Sequence, residues 1–492
     1  MKNGEESSIT ISDLAVFCKK KGFVFQNSEL YNGLSGFWDF GPLGVELFNN
    51  IKASWWKRFV QSRSDVVGMD GSIISHGRVW KASGHIESFS DISVKCSKCG
   101  KINKIDKSEL GKAKCEFCGG SLDESTAKEV KLLFPVSVGS EGTIAYLRGE
   151  TAQEMFINFK MIAETMRMKL PFGIAQVGRC FRNEIAPRDF LFRCREFHIA
   201  EFEYFINPRS DKCSIMDAEH LNLRVMLLDA NTQEQGSKEM REVTISQMVS
   251  EGILDEWHAY WLAEQFLWYL SLGLSWDRLR VREHVKSELA HYSTATFDID
   301  YKFPFGFKEI SGIANRGQYD LTRHMKESGK SLEYFDEETR ENIVPRVIEP
   351  SFGMERAFLA VLSEAYSYDK ERENVVLKII PELAPVKVAV LPLLSNRPEL
   401  LKLALQVYDK LRKRFVCTYD KSGSIGRRYA RQDEIGTPFC VTIDFESVSN
   451  GDVTVRDRDT TRQVRVGISE LEDVLSALIS GSKSFEELAQ KK

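Results

Sequence analysis

Nowhere do apolar residues run on for the roughly 20 positions that a membrane-crossing helix needs, so a helical membrane protein is excluded and no membrane partner is expected. The opening stretch "MKNGEESSIT" is polar and holds no apolar core of an export signal, and the expected location is cytoplasmic. Glycine-rich phosphate loops are missing too. The "SGKS" at 328–331 has His324 where a P-loop needs its first glycine, and no G-x-G-x-x-G follows a strand. A nucleotide in this chain must therefore be held by arginines and a metal. Nor is there an excess of positive charge: the formal net charge is −4, so any nucleic acid depends on a local basic surface. No internal repeat or low-complexity tract is present.

What is there fits a multidomain globular chain. Its 492 residues suggest about three domains, and 42% hydrophobic with 28% charged residues is ordinary composition for such a chain. Four of the ten cysteines cluster. "CSKCGKINKIDKSELGKAKCEFCGG" sets Cys96, Cys99, Cys115 and Cys118 in the C-x2-C, C-x2-C spacing of a zinc ribbon, with Gly100 and Gly119–Gly120 opening the backbone behind each pair. Two disulfides are the competing reading, disfavoured in a reducing compartment. The other six cysteines show no ligand spacing and read as small apolar fillers.

Several helices declare their ends. Residues 12–21 put Leu14, Phe17 and Cys18 on one stripe, with Ser12 as the expected N-cap and Gly22 as the stop. "GPLGVELFNNIKASWWKRFVQSR" starts at Pro42 and spaces Leu47, Ile51, Trp55 and Phe59 by four, a stripe for its own core or for a subunit contact. Residues 255–272 carry core aromatics at helical spacing. "VKVAVLPLL" at 386–394, after Pro381 and Pro385, reads as the first buried strand of a new α/β domain.

Two stretches carry chemistry. In "VGRCFRNEIAPRDFLFRCREFHIAEFEYF" (177–205) arginines and carboxylates alternate with phenylalanines over two strands, 177–184 and 195–205, joined by a turn at Pro187 and Asp189. Arg182 and Glu184 share one face, and Arg193, Arg195 and Phe197 share another with Glu201 and Glu203. A core would not accept such charges unpaired, which leaves a binding face or a salt-bridged solvent face. In "EPSFGMERAFLAVL" a strand ends near Ser351 and Gly353, and a helix begins with Arg356 in its first turn. That joint offers both backbone N–H groups and a guanidinium to an anion.

These segments resemble motifs 2 and 3 of the class II aminoacyl-tRNA synthetases, and the helix at 42–62 followed by "VVGMDGSI" sits where motif 1 would be. More closely, "WKASGHIESFSD", "LRGETAQ", "LPFGIAQVGRCFRNEIAPRDFLFRCREF", "KFPFGFKEISGIANRGQYDL" and "GSIGRRYARQDEIGTPFCVTIDF" are similar to the dimeric glycyl-tRNA synthetases, over about residues 22–480. Gly77 and Gly149 stand where proline is expected, and Glu154 where a small residue is.

The resemblance implies an α+β fold: an antiparallel catalytic sheet flanked by helices, with insertions and a C-terminal α/β domain. The catalytic domain would occupy 1–92, 127–208 and 291–380. It would be interrupted by the zinc ribbon at 93–126 and a helical insertion at 209–290, and followed by the anticodon-binding domain at 384–492. The implied activity is that of a glycine–tRNA ligase: glycine and ATP give glycyl-adenylate and pyrophosphate, and tRNA(Gly) then takes the glycyl group. A homodimer is implied, with Mg²⁺ accompanying ATP and Zn²⁺ as a structural metal.

By similarity, Arg182 binds the α-phosphate and Arg356 the γ-phosphate, which makes them the catalytic cations. ATP would meet Asn183, Glu184, Phe192, Arg193, Arg195, Glu196 and Phe197 of motif 2, the last stacking on adenine. It would also meet Glu309 and Ile310, with Glu309 on Mg²⁺, and Gly353, Met354 and Glu355 beside Arg356. Glycine would sit among Glu150, Phe197, Glu201, Glu349, Ser351 and Gly353; no editing domain is expected, since nothing smaller than glycine needs rejecting. Arg427, Arg428 and Arg431 would meet the anticodon, supported by Arg456, Arg458, Arg462 and Arg465, unless Asp433, Glu434, Asp457 and Asp459 pair these arginines locally. The other readings are a non-catalytic, nucleic-acid-binding paralogue and a synthetase for proline, threonine or histidine. Retention of the motif arginines and pocket acids speaks against the first, and "GETAQ" and "EPSFG" against the second.

Overall fold

The computed structural model describes residues 9–105, 110–210 and 212–490. Its centre is a nine-stranded sheet, in the order Arg241–Thr244, Arg224–Leu228, Leu279–Glu283, Ala295–Phe303, Gly306–Gly317, Arg346–Gly353, Glu196–Ile206, Phe172–Phe181, Val66–Gly68. Only the pairings of Val66–Gly68 with Phe172–Phe181 and of Arg224–Leu228 with Leu279–Glu283 are parallel.

Alternation along the strands makes the sheet two-faced. On Glu196–Ile206 the even residues Ala200, Phe202 and Tyr204 are buried against helices, and Phe352 of the neighbouring strand joins them. The helix Pro42–Trp56 lays its stripe on that face: Leu47, Ile51, Trp55 and Phe59 are all fully buried, with Trp55 5.8 Å from Phe352 between ring centroids. The stripe that could have served a subunit contact thus packs on its own domain. The helix Glu256–Ser271 is buried almost all round, packed on the same face of the sheet beside that helix, with Trp268 Nε1 donating to the Ser54 hydroxyl. Trp268 and Trp261 reach Phe352 and Phe202 at 5.2 and 4.6 Å. The odd residues, from Phe197 to Glu203, face the opposite way, where the helices Ala152–Ile157 and Phe159–Thr165 pack Phe156 and Phe159 around Ile174 and Phe205 at the far end of the strand.

Three expectations change. The first helix begins at Ile11 with Thr10, not Ser12, as its cap, because the Thr10 hydroxyl is the group that accepts from the Asp13 N–H. The first motif strand runs Phe172–Phe181 and has ended before Arg182, whose N–H bonds the Arg195 carbonyl. The segment 209–290 is not purely helical: besides Glu256–Ser271 it supplies three strands that extend the main sheet, so it is continuous with the core and not a separate helical appendage. Its strands are four or five residues long, and they become strands only by pairing at the edge of the main sheet, which hid them in the sequence.

The cysteine-rich segment forms a three-stranded sheet, Ile102–Ile105, Ser90–Cys96, Leu122–Lys131, with its own small core of Ile92, Val94 and Ile105. The C-terminal unit is a five-stranded sheet, Cys417–Tyr419, Val388–Pro392, Phe439–Ile443, Asp452–Asp457, Gln463–Gly467, parallel across its first three strands, with a separate core of Val388, Val390, Leu400 and Val441. The expected buried strand at 386–394 is its first in chain order, Val388–Pro392, and lies second in the sheet. Among the described residues no helix is long and apolar enough to cross a membrane.

Candidate active site

Sheet register builds the site. Gln176 pairs with Glu201, Glu201 with Ser351, Ser351 with Gly312, and Gly312 with Asp298, so one row crosses four strand boundaries on the face opposite the aromatic core. A cleft beside this row is lined by Arg182, Glu184, Phe192, Arg193, Phe197, Glu309, Ser351, Gly353, Glu355 and Arg356. These residues come from both motifs and from the strand Gly306–Gly317.

The two arginines are held by their Nε atoms. Arg182 Nε donates to the Gly149 carbonyl at 3.0 Å, and its guanidinium lies between the rings of Phe89 and Phe197, at 5.3 and 5.4 Å. Arg356 Nε donates to the Phe192 carbonyl at 3.2 Å, its guanidinium rests on the Phe192 ring at 4.5 Å, and it pairs with Glu309 at 3.1 Å. Aromatic faces attract and orient a cation without neutralising it. Glu184 has a buried Oε2 with no hydrogen-bond donor, and its nearest cation is Arg193 at 3.9 Å.

Deeper along the same face lies a buried cluster of acids around one guanidinium. Arg316, 1% exposed, donates to Asp320 at 2.8 and 2.9 Å and to Glu349 at 2.6 Å, and stands 3.7 Å from Glu150. Its flat face covers Tyr292 at 3.8 Å. Gln153 bridges Glu150 and Asp320, and His85 stands 3.2 Å from Glu150. Glu201 accepts from the N–H and hydroxyl of Thr151 at 3.1 and 2.6 Å. The register sets Glu203 opposite Glu349, and carboxylate oxygens of Glu201, Glu203 and Glu349 lie within 4.8 Å of one another. Neither oxygen of the fully buried Glu203 has a partner.

The environment divides these acids. Burial works against the Glu150 charge, but His85 and Arg316 outweigh it and hold its pKa well below the usual range. Burial, reinforced by Glu349, pushes Glu203 far up; burial raises Glu349 too, although Arg316 opposes it. One fixed cation among this many carboxyls leaves a small dry pocket short of positive charge.

Some expected residues lie elsewhere. Glu196 points to the opposite face of the sheet, paired with Arg179, because strand parity separates it from Phe197. Ile310 and Met354 are fully buried in the hydrophobic core, so their side chains do not reach the cleft. Arg195 braces the loop, donating to the carbonyls of Glu184 and Ser35, and Asn183 is tied through its N–H to the Leu132 carbonyl. Glu355 lines the cleft with its carboxylate occupied by His198. Sequence reasoning missed Arg316 and Asp320, and put Glu203 on the charged face without giving it a place in the site; an arginine with a carboxylate four residues on was the available signal. The unusual Glu154 is buried, accepts from the Ser75 hydroxyl, and sits where any side chain at Gly71 would collide with it at 2.8 Å.

The four clustered cysteines meet as two knuckles. Sγ atoms of Cys96 and Cys118 lie 3.5 Å apart and those of Cys99 and Cys115 3.6 Å apart, close to the ~3.8 Å edge of a tetrahedron with 2.3 Å zinc–sulfur bonds. Lys98 and Cys99 aim their N–H groups at Cys96 Sγ, and such bonds hold its pKa down. Desolvation opposes ionisation of Cys115, but the N–H groups of Phe117 and Cys118 bring it to about 6. Thiolates are what zinc requires. A Cβ on Gly120 would press on two of the sulfurs at 3.3 Å. Among the described residues no cysteines form a disulfide.

In the C-terminal unit, Arg427 is exposed on the helix Ile425–Glu434. Arg428 is turned inward, 1% exposed, donating to the carbonyls of Pro392 and Leu393, so it braces the fold and cannot reach RNA as placed. Arg431 pairs with Asp420, Arg456 with Asp433, Arg458 with Asp459, and Arg465 with Asp444 and Asp452. Local pairing therefore claims most of these arginines.

Comparison with known proteins finds two families on the chain. A family described as "tRNA synthetase class II core domain (G, H, P, S and T)" matches residues 145–366, and one described as "Anticodon binding domain" matches 387–478. The glycine–tRNA ligase of Geobacillus thermodenitrificans is 41% identical, over 98% of this chain and 100% of its own length. That of Thermobifida fusca is 41% identical over 96% and 99%, and that of Treponema denticola 39% identical over 95% and 96%. The structure is similar in fold to a prolyl-tRNA synthetase from Cryptosporidium parvum, with TM-score 0.60 at 15% identity, over 97% of this chain and 77% of that one.

Glu203 generates a test of the pocket's electrostatics. A carboxyl whose folded pKa is raised stays protonated in the native state while the unfolded chain releases the proton above ~4.3, so it lowers stability progressively as pH rises from there. Glu203→Gln removes that loss. Its thermal midpoint relative to wild type should therefore climb as pH rises above about 4.3; a difference that is flat with pH would show that Glu203 is not held neutral.

Proposed function

The chain belongs to the glycine–tRNA ligase family of class II aminoacyl-tRNA synthetases, and from that premise we propose how its residues carry out the family's reaction. The observation that supports the assignment of roles is the pairing of two aromatic-braced arginines with an acid-rich buried pocket on one sheet face.

The chemistry first brings together two anions, the glycine carboxylate and the ATP α-phosphate. Arg182 sits on the motif 2 side of the cleft, and its terminal nitrogens are the group to offset charge on the α-phosphate as the carboxylate attacks and pyrophosphate leaves. Arg356 holds the outer phosphates from the other side. Phe197 offers its ring to adenine, and the free Oε2 of Glu184 accepts from the exocyclic amine. Glu309, paired with Arg356 on the cleft wall, is the carboxylate that would hold Mg²⁺, which supplies charge neutralisation to the phosphates when bound.

The glycine ammonium belongs among Glu201, Glu349 and Glu150, with Ser351 and Gly353 closing the pocket. Its affinity rests on charge, and larger amino acids are excluded by overlap with the packed walls. Arg316 orients Glu349 and Glu150. After activation, the terminal hydroxyl of tRNA(Gly) attacks the adenylate carbonyl and AMP leaves. The unit from about residue 384 onward meets the anticodon arm, with Arg427 the exposed cation of its helix. A structural Zn²⁺ in the Cys96, Cys99, Cys115 and Cys118 site, a homodimer and a cytoplasmic location complete the proposal. Exposed Ile74, Ile157 and Met161 around one shallow cleft supply an apolar patch for the second subunit.

Glycine should support ATP–pyrophosphate exchange, and proline, threonine and histidine should not; exchange with any of those three in place of glycine would overturn the substrate assignment. Arg182→Ala should slow exchange by about two to three orders of magnitude, the loss of ~3–4 kcal/mol of transition-state stabilisation, and near wild-type exchange would remove it from that role. Metal analysis should find about one zinc per chain, lost on Cys96→Ser together with protease resistance of residues 90–131. A zinc-free wild type with that segment intact would refute the metal site.

A further inference from the structure

The helix Met354–Ala365 has Arg356 in its first turn and runs for 12 residues, about 18 Å. It then passes without a linker into a hairpin, Tyr366–Asp369 with Asn374–Leu377. The hairpin tip does not end in solvent. Arg372 there pairs with Asp369 of its own strand at 3.0 Å and extends into the C-terminal unit, reaching the Asp433 carboxylate at 3.2 Å and the carbonyls of Arg458 and Asp459 at 2.8 and 3.0 Å. Asn374 adds a bond to the Ala430 carbonyl at 3.1 Å.

Asp433 is 2% exposed and is already gripped by Arg456 through two bonds of 2.8 and 2.9 Å. The half-buried Arg372 and the buried Asp433 and Arg456 thus form a plus–minus–plus triad shared between two domains. Such a node has one good geometry, because a displaced partner leaves buried charge unpaired. Asp433 and Ala430 both lie in the far half of the helix Ile425–Glu434, whose near half presents the exposed Arg427. At its far end Glu434 is also paired with Lys21 of the first helix of the catalytic domain. One helix therefore has a free end placed for RNA and a docked end fixed to the extension of the helix that carries Arg356.

We infer that Arg372 is a positioning residue that keeps the anticodon-domain helix in fixed register with the Arg356 helix, so that glycyl transfer to full-length tRNA depends on it and glycyl-adenylate formation does not. The inference rests on the ligase reading above. The catalytic cleft holds none of Arg372, Asp433 or Arg456, so adenylate chemistry has no contact to lose. A tRNA that spans both domains has its acceptor end placed only as accurately as the two domains are placed relative to each other, and small misplacements are expensive in rate.

The test compares three reactions of the full-length protein carrying Arg372→Gln, with Asn374→Ala as a milder second variant. Glycine-dependent ATP–pyrophosphate exchange should stay within about twofold of wild type, whereas charging of full-length tRNA(Gly) should fall about 10- to 100-fold, chiefly in kcat. Charging of a duplex that carries only the acceptor stem should be unchanged, since it never engages the C-terminal unit. A generally weakened fold would lower all three together, and that result, or full-length charging that stays at the wild-type rate, would overturn the inference. Failure of the wild type to charge tRNA(Gly) at all would instead sink the ligase reading.

Discussion

Arg316 is the group on which the buried cluster of acids depends. It is buried, fixed from the side by Asp320 and from the front by Glu349, and laid flat on Tyr292. Without it, Glu150, Glu349 and Asp320 would lie together in a buried pocket with no guanidinium paired to them, and burial works against carboxylate charge. With it, Glu150 stays charged while Glu203 and Glu349 are pushed toward the neutral form. The pocket is thereby left with a limited negative charge, which suits one small ammonium better than a free cluster of carboxylates would. A divalent cation is served less well, because Arg316 occupies the centre of the acids.

That arrangement is possible because the sheet is two-faced. Each site residue of Glu196–Ile206 alternates with a core residue, so Glu201 is followed by Phe202 and Glu203 by Tyr204. Phe202 and Phe352 lock into Trp55, Phe59, Trp261 and Trp268. The apolar layer fixes the backbone of both strands, and through it the positions of acids that could not hold themselves together. Packing on one face stabilises electrostatic crowding on the other.

The smaller modules are attached to this sheet at points close to the chemistry. The cysteine module leaves the core just after Phe89, which lies under Arg182, and returns at Leu132, whose carbonyl holds Asn183; Glu116 of its second knuckle pairs with Arg188 of the motif 2 loop. The C-terminal unit is attached at the linker, where Asn50 holds the carbonyls of Leu383 and Ala384, and at Arg372.

The sequence alone determined the elements whose residues speak for themselves: the helix from Pro42, the cysteine spacing, the paired motifs around Arg182 and Arg356, and the start of the C-terminal domain. In each, a local period or a fixed spacing states its own geometry. It could not tell which charged residues face one another. Strand parity and register turned Glu196 away from the cleft and set Glu203 against Glu349, and neither is visible without the partner strand. Arg428 reads as an RNA contact because nothing local shows that the Pro392 and Leu393 carbonyls wait for it across the domain, and local pairing of Arg456 by Asp433 is an alternative that only the fold decides. The strands within 209–290 were hidden for the same reason, since they are strands only by joining the edge of a sheet begun elsewhere. Local pattern fixes what a segment is; only the tertiary fold decides which charges are paired and which remain free for a substrate, because pairing depends on distances between residues far apart in the chain.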